Sequence, residues 1–184
     1  TISILYPLIE ILTASVTLIL FRNYWLNMEL ILTILLFYNL IVLSFIDFKY
    51  RAVPDYLLII AVIIALLIGD LKNILLFAGG FVLLELFITF YIQNIKAKIT
   101  KNKALESQAA LGEGDIPIVA VIGGILGIHL GISAIFLAAL LALLPALYNL
   151  ISKKEIETAF IPFLSLGLFI TLITEFNIFF FFLY

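Results

Sequence analysis

Two aspartates stand at the ends of long apolar runs in this sequence. Asp47 follows the apolar run Met28–Ile46, and Asp115 precedes the apolar run Ile116–Leu130. When two carboxyl groups lie close together, their mutual repulsion leaves one protonated while the other is ionised. The ionised group can take a proton from water, and the protonated group can donate one to a peptide carbonyl under attack. If the fold brings Asp47 and Asp115 together, we expect the pair to support hydrolysis of a peptide bond.

The residues before Asp115 favour the close approach of another chain. Asp115 is preceded by Gly112, Glu113 and Gly114. Glycine adopts backbone angles that other residues resist, and it leaves room for a substrate strand. An ionised aspartate at a helix start is also stabilised by the helix dipole. A simpler alternative is that Asp115 is only a helix N-cap and that Asp47 pairs with a basic neighbour.

The composition indicates a protein embedded in a membrane. Of the 184 residues, 65% are hydrophobic and 12% are charged, whereas a soluble domain carries roughly 25% charged residues. The sequence has no cysteine and a single histidine, His129, so neither a disulfide framework nor a zinc site is expected. We therefore expect no metal and no cofactor, and nothing in the sequence indicates a nucleic-acid partner.

The apolar runs predict an all-α fold, a polytopic transmembrane helical bundle that residues 1–184 form as a single domain. A spanning helix needs about 20 mainly apolar residues, and these continuous runs lack the alternation of barrel strands. The seven candidate spans are Ile2–Phe21, Met28–Ile46, Tyr56–Gly69, Asn73–Gln93, Ile116–Leu130, Ile132–Leu150 and Ala159 to about Thr174.

The basic residues divide unequally between the two sides that seven alternating spans define. Of the ten, only Arg22 and Lys72 fall on one side. The other eight are Lys49, Arg51, Lys96, Lys98, Lys101, Lys103, Lys153 and Lys154. Because cytoplasmic loops are enriched in lysine and arginine, the second side is predicted to be cytoplasmic. Asp47 and Asp115 both fall on that side, at helix ends.

Glycines and acids inside the spans give two further expectations. Gly123, Gly127 and Gly131 recur every four residues, which predicts one small-residue face on the fifth span, with the break between the fifth and sixth spans at Gly131. That spacing places the helix that begins at Asp115 near the centre of the bundle. Glu85 lies inside the fourth span, where acids are costly and commonly functional, but the sequence assigns it no role.

Four segments occur in the order typical of one protease family. The run Gly112–Asp115 resembles the GxGD signature of membrane aspartyl proteases, and Asp47 followed by Pro54 resembles the first catalytic motif of type IV prepilin peptidases. Tyr6–Glu10 and Ile161–Phe163 resemble segments that flank this core in bacterial members. GxGD alone is a weak signature, but the ordered set covers nearly the whole chain and carries the resemblance to type IV prepilin peptidases.

The resemblance implies an aspartic endopeptidase of the cytoplasmic (inner) membrane. Such enzymes cut the short basic leader from a prepilin or pseudopilin precursor at the cytoplasmic face, so the expected partners are this precursor and the lipid bilayer. The implied catalytic residues are Asp47 and Asp115. The implied supporting motif residues are Gly112, Glu113, Gly114, Pro54 and Glu10, of which Glu113 is expected to contact the leader.

The chain also departs from the family pattern. Pro117 stands where many members carry lysine, and the cysteine-bearing loop of bifunctional members has no counterpart in these residues. Methyltransferase activity is therefore not expected of this chain. Two alternatives stay open: a non-enzymatic transporter or pilus assembly factor that uses intramembrane acids, and a presenilin-like GxGD protease.

Overall fold

Long apolar segments fold as helices because every backbone N–H and C=O must be satisfied within the segment where water is absent. The computed structural model describes residues 5–23, 26–96, 112, 114–151 and 158–178, and the regular elements in this part are all helical. The first four helices are α1 (Leu5–Asn23), α2 (Met28–Tyr50), α3 (Asp55–Ile68) and α4 (Leu71–Phe90), and α4 continues as the π-helical segment Tyr91–Lys96. The helical element Asp115–Ile151 and a last helix, Ile161–Thr174, follow.

The element Asp115–Ile151 reverses direction at Gly127, whose φ of 73° and ψ of −171° are not helical. A Cβ atom built on Gly131 would lie 3.5 Å from the Cα of Gly123. In a straight helix, residues this far apart in sequence are separated by about 12 Å along the axis. Residues 115–126 and 128–151 are therefore two antiparallel helices, α5 and α6, and Ile161–Thr174 is α7.

This hairpin corrects two expectations about the glycines. The break between the fifth and sixth helices was predicted at Gly131, but it lies at Gly127. The predicted single small-residue face is also wrong, because Gly123 belongs to α5 and Gly131 to α6. Both glycines pack against the ring of Phe77 from α4, so the spacing reflects a helical hairpin that closes over one aromatic side chain. Within the described ranges, the helix count agrees with the prediction of about seven helices.

Among the residues that the structure describes, three elements are long and apolar enough to cross a membrane. They are Met28–Tyr50, Leu71–Asn94 and Asp115–Asn149, the last of which is divided at Gly127 into α5 and α6. Asp55–Ile68 and Ile161–Thr174 are shorter apolar helices. Large apolar side chains are exposed along their outer faces, as with Leu83 and Phe87 on α4. This surface suits contact with lipid chains.

Four units form a ring in which each packs against the next: α2, α3, the α5–α6 hairpin and α7, which returns to α2. Outside the ring, α4 packs on the hairpin and α1 on α2. Residues 118–122 of α5 are all buried, so the helix that begins at Asp115 is central, as the glycine pattern predicted. Asp47 and Asp115 thus come from α2 and α5, two units of the ring that do not follow one another.

The helices alternate in direction, and this alternation separates two ends of the bundle. At one end the backbone N–H of Asp70, in the α3–α4 turn, donates to the carbonyl oxygen of Gly124 at 2.9 Å. At the same end, the backbone N–H of Ile178 donates to Oγ of Ser133 at 3.0 Å. The opposite end holds the last turn of α2 and the first turns of α5 and α7. Both aspartates therefore lie at this second end.

Candidate active site

Asp47 lies in the last turn of α2 and points inward while its neighbours point out. It is 9% exposed, whereas Phe48, Lys49 and Tyr50 are all exposed. The helix ends at Arg51, which adopts a left-handed conformation (φ 54°) and donates its backbone N–H to the carbonyl oxygen of Asp47 at 2.9 Å. This C-terminal turn directs the Asp47 carboxylate into the bundle.

The carboxylate of Asp47 caps the start of another helix. The backbone N–H of Ile161, the first residue of α7, donates to Oδ2 of Asp47 at 3.2 Å, and the backbone of Phe160 also donates to this carboxylate. N–H groups in the first turn of a helix have no intrahelical partner, and Phe160 supplies no side-chain cap. Asp47 therefore acts as an N-cap from a distant part of the chain.

A second contact between α2 and α7 lies one turn deeper in the bundle. The Ser44 hydroxyl shares its one proton between the carbonyl oxygen of Leu40, at 2.7 Å, and Oγ of Ser165, at 3.3 Å, and the Ser165 hydroxyl donates to the carbonyl oxygen of Ile161. These bonds hold the helix that carries Asp47 against the start of α7. The orientation of Asp47 is therefore determined by two elements that are far apart in sequence.

Asp115 is the first residue of α5 and is 8% exposed. Its backbone N–H donates to the carbonyl oxygen of Gly112 at 3.0 Å, and the backbone of Gly112 in turn donates to the Asp115 carboxylate. A Cβ on Gly112 would lie 3.2 Å from Oδ2 of Asp115. The turn before α5 thus folds back over the carboxylate and holds it at the entrance of the bundle.

Gly114 lies where the segments that carry the two aspartates meet. A Cβ on Gly114 would lie 2.5 Å from Cγ2 of Val53, in the connection after α2, and 3.6 Å from Cδ1 of Ile161. Ile161 therefore contacts the segment that carries Asp115 and binds Asp47 through its backbone. The charge of Asp47 also acts on Asp115, so the structure brings the two predicted residues to one site.

Glu85 is a third carboxylate, outside the immediate pair, to which the sequence assigned no role. It is half-buried on α4, and its charge acts on Asp115. Ile74 and Phe77, on the same helix, pack against glycines of the hairpin. The helical spacing of Ile74, Phe77, Phe81 and Glu85 puts all four on the side of α4 that faces the hairpin. That spacing, in an otherwise apolar run, is the signal that could have found Glu85.

The remaining predicted motif residues have different surroundings. Pro54 is the N-cap residue of α3, and its carbonyl oxygen accepts from the backbone N–H of Leu57 at 3.1 Å. Glu10 is exposed on α1, outside the ring of helices. Glu113 lies outside the described residues, as do Lys98, Lys101, Lys103, Lys153 and Lys154. Among the described residues, no group of three or more histidine, cysteine, aspartate or glutamate side chains could hold a metal ion.

The fold and the site define a class: an all-helical protein of apolar spans with two buried, interacting carboxyl groups at one end. A family model described as the type IV leader peptidase family matches residues 34–147. The match runs from α2 into α6, includes both aspartates and covers well over half of the chain. The chain belongs to the type IV leader peptidase family.

A curated relative agrees with this assignment. The chain is 29% identical over 177 residues to a protein of Legionella pneumophila named prepilin leader peptidase/N-methyltransferase. The alignment covers 90% of this chain and 57% of the relative, so the chain spans little more than half of the relative's length. No solved structure matches the chain significantly.

Proposed function

We propose that this chain is an aspartic endopeptidase that removes the short basic leader from type IV prepilin or pseudopilin precursors. The observation that carries the proposal is the pair of buried aspartates, Asp47 and Asp115, on either side of Ile161 in a member of the leader peptidase family. Family membership favours this function over a transporter or a presenilin-like protease. The proposal concerns cleavage, because cleavage is the chemistry that two carboxyl groups can perform.

The proposed reaction needs one ionised and one protonated aspartate. The ionised carboxylate removes a proton from a water molecule, and the resulting hydroxide equivalent bonds to the carbonyl carbon of the scissile peptide. The protonated carboxyl group donates to the carbonyl oxygen as the tetrahedral intermediate forms. When the C–N bond breaks, the hydroxyl group stays on the leader's new carboxyl terminus and the released nitrogen gains a proton. One water molecule is consumed, and the two aspartates return to their starting protonation states after proton exchange.

The surroundings of the site support cleavage at a membrane face. Lys49 and Arg51 are exposed beside Asp47 at the site end of the bundle. Excess basic charge is typical of the cytoplasmic side of a membrane protein. We therefore place the site at the cytoplasmic face of the inner membrane. A precursor helix that lies in the bilayer would present the end of its leader at this level.

The proposal is tested by co-expression with a precursor whose basic leader ends in glycine immediately before an apolar helix. We expect the wild-type chain to convert the precursor to the mature size, with the new N-terminus confirmed by mass spectrometry. Asp47→Asn and Asp115→Asn should each slow conversion by about 10²-fold or more, because general acid–base groups contribute about 10²–10⁴-fold.

Asp70→Asn is the matched control, since Asp70 lies at the opposite end of the bundle, where its side chain caps α4. Asparagine caps helices about as well as aspartate, so this variant should process normally. Wild-type processing by either site variant would contradict the proposal.

A further inference from the structure

The two aspartates differ in the groups that surround their carboxylates. The Asp47 carboxylate accepts backbone hydrogen bonds from Ile161 and Phe160, and the positive charge of Arg51 acts on it. Backbone N–H donors and a nearby cation both favour the ionised form of a carboxyl group. The start of α7 adds the positive end of its helix dipole. Burial of Asp47 disfavours its ionised form, and these backbone donors and the cation act against that effect.

The surroundings of Asp115 favour a proton more than those of Asp47 do, although Asp115 also lies at a helix start, where the dipole favours the ionised form. It accepts a hydrogen bond from the Gly112 backbone, and two acidic side chains, Asp47 and Glu85, act on it. A neighbouring negative charge disfavours ionisation of a carboxyl group. Asp115 is also buried, and burial disfavours the charged form in the same direction. Of the two aspartates, Asp115 is the better place for a proton.

We propose that Glu85 is a positioning residue that keeps the shared proton on Asp115, so that Asp47 acts as the general base and Asp115 as the general acid. This inference rests on the proposed function, because it divides the roles within that catalytic pair. Glu85 acts through Asp115 and takes no part in bond making. This role would account for the presence of an acid in a mainly apolar span. Besides Glu85, the polar residues from Leu71 to Phe90 are Lys72, Asn73 and Thr89.

The packing of α4 keeps Glu85 on the side of the site. Ile74 contacts Gly124, and the ring of Phe77 lies against Gly123 and Gly131. These contacts set the rotation of α4 about its axis and hence the direction of Glu85. If α4 rotated enough to move Glu85 to another side of the helix, Ile74 and Phe77 would lose these contacts with the glycines.

The other charged groups around the pair are few in the described part of the chain. The exposed titratable side chains at this end of the bundle include Lys49, Tyr50, Asp55, Tyr56, Tyr91 and Tyr148. Residues 115–126 and Ile161–Thr174 contain no titratable side chain besides Asp115. The charge of Arg51 acts on Asp47, and the charge of Glu85 acts on Asp115. The two aspartates thus have different charged neighbours, so the ionisation of each can be altered separately by replacing its own neighbour.

The test is the pH dependence of kcat/KM for precursor cleavage by the purified full chain in detergent. The acid limb reports protonation of the general base, and the alkaline limb reports ionisation of the general acid. Glu85→Gln removes a negative charge beside Asp115, so the alkaline limb should move to lower pH, by about half a unit or more for a nearby charge. Glu85→Asp should restore the limb at least in part. Arg51→Gln removes the cation beside Asp47, so the acid limb should move to higher pH.

The control is Glu29→Gln, since Glu29 is exposed in the first turn of α2 at the other end of the bundle, and its profile should match the wild type. The inference is overturned if Glu85→Gln moves the acid limb instead, or if it moves neither limb. Because Arg51 is exposed, Arg51→Gln gives a second test that does not depend on whether the Glu85 variants fold.

If Arg51→Gln moves the alkaline limb of the profile, the roles of Asp47 and Asp115 are the reverse of those assigned. Failure of the proposed function itself would look different, since the wild type would not cleave or Asp47→Asn would remain active.

Discussion

Replacing Gly114 with alanine tests whether the approach of the two aspartate-bearing segments is required for activity. The added Cβ would lie 2.5 Å from Cγ2 of Val53, whereas carbon atoms at optimal separation are about 3.5–4.0 Å apart. Val53 cannot move aside easily, because a β-branched side chain has few rotamers. The backbone at Gly114 must therefore shift by roughly 1 Å, and Asp115 is the next residue.

A displacement of about 1 Å in a catalytic group costs about 10²-fold in rate. We therefore expect Gly114→Ala to lower kcat/KM for precursor cleavage by about 10²-fold, measured with purified protein in detergent. The double variant Gly114→Ala/Val53→Ala should recover much of this loss, because removing Cγ2 makes room for the new methyl group. Gly79→Ala is the matched control, since a Cβ on Gly79 meets nothing within 4 Å. The explanation fails if Gly114→Ala is as active as the wild type, or if the double variant stays as defective as Gly114→Ala alone.

Two further predictions concern the hairpin and the chemistry of the site. Gly127 has backbone angles that are nearly restricted to glycine (φ 73°, ψ −171°), so Gly127→Ala should destabilise the protein by about 1–3 kcal/mol and lower its Tm. Gly80→Ala is the control, because a Cβ on Gly80 would lie in open space, and its Tm should match that of the wild type. Equal Tm values for the two variants would argue against the turn at Gly127. Metal chelators should leave cleavage unchanged, because the two aspartates supply both the base and the acid; loss of activity with EDTA that zinc restores would contradict a metal-free mechanism.

Much of the site was predictable because it depends on side-chain types and chain direction. Asp47 and Asp115 each stand at an end of an apolar run, and alternation of the spans puts both ends on one side of the bundle. The structure places both residues there, buried and interacting. The order of the helices and the position of each aspartate within its run placed both at one end of the bundle, and the approach of the two depends on the packing of Gly114 and Ile161 between them.

The turn at Gly127 could not be located from spacing. Gly123, Gly127 and Gly131 are equivalent by residue type and interval, so one helical face explained them as well as a hairpin did. The difference arises from tertiary packing, because the ring of Phe77 can pack against both Gly123 and Gly131 only when the chain reverses between them. A distant side chain therefore decides which glycine adopts the left-handed conformation.

The groups that distinguish the two aspartates were also hidden from sequence reasoning. The donors to Asp47 are backbone N–H groups of Phe160 and Ile161, and a backbone donor has no residue type to recognise. Glu85 was noticed as an acid in a span, but its direction depends on the rotation of α4, which Ile74 and Phe77 determine. Both features follow from packing between elements that are distant in the chain.

The most direct test of the central claim is a single-turnover cleavage rate for four proteins: wild type, Asp47→Asn, Asp115→Asn and the double variant. Residues that act as one catalytic unit give strongly non-additive losses. We predict that each single variant loses about 10²-fold or more and that the double variant is hardly slower than either. Losses that multiply in the double variant, or a single variant that cleaves at the wild-type rate, would show that Asp47 and Asp115 do not work as a pair.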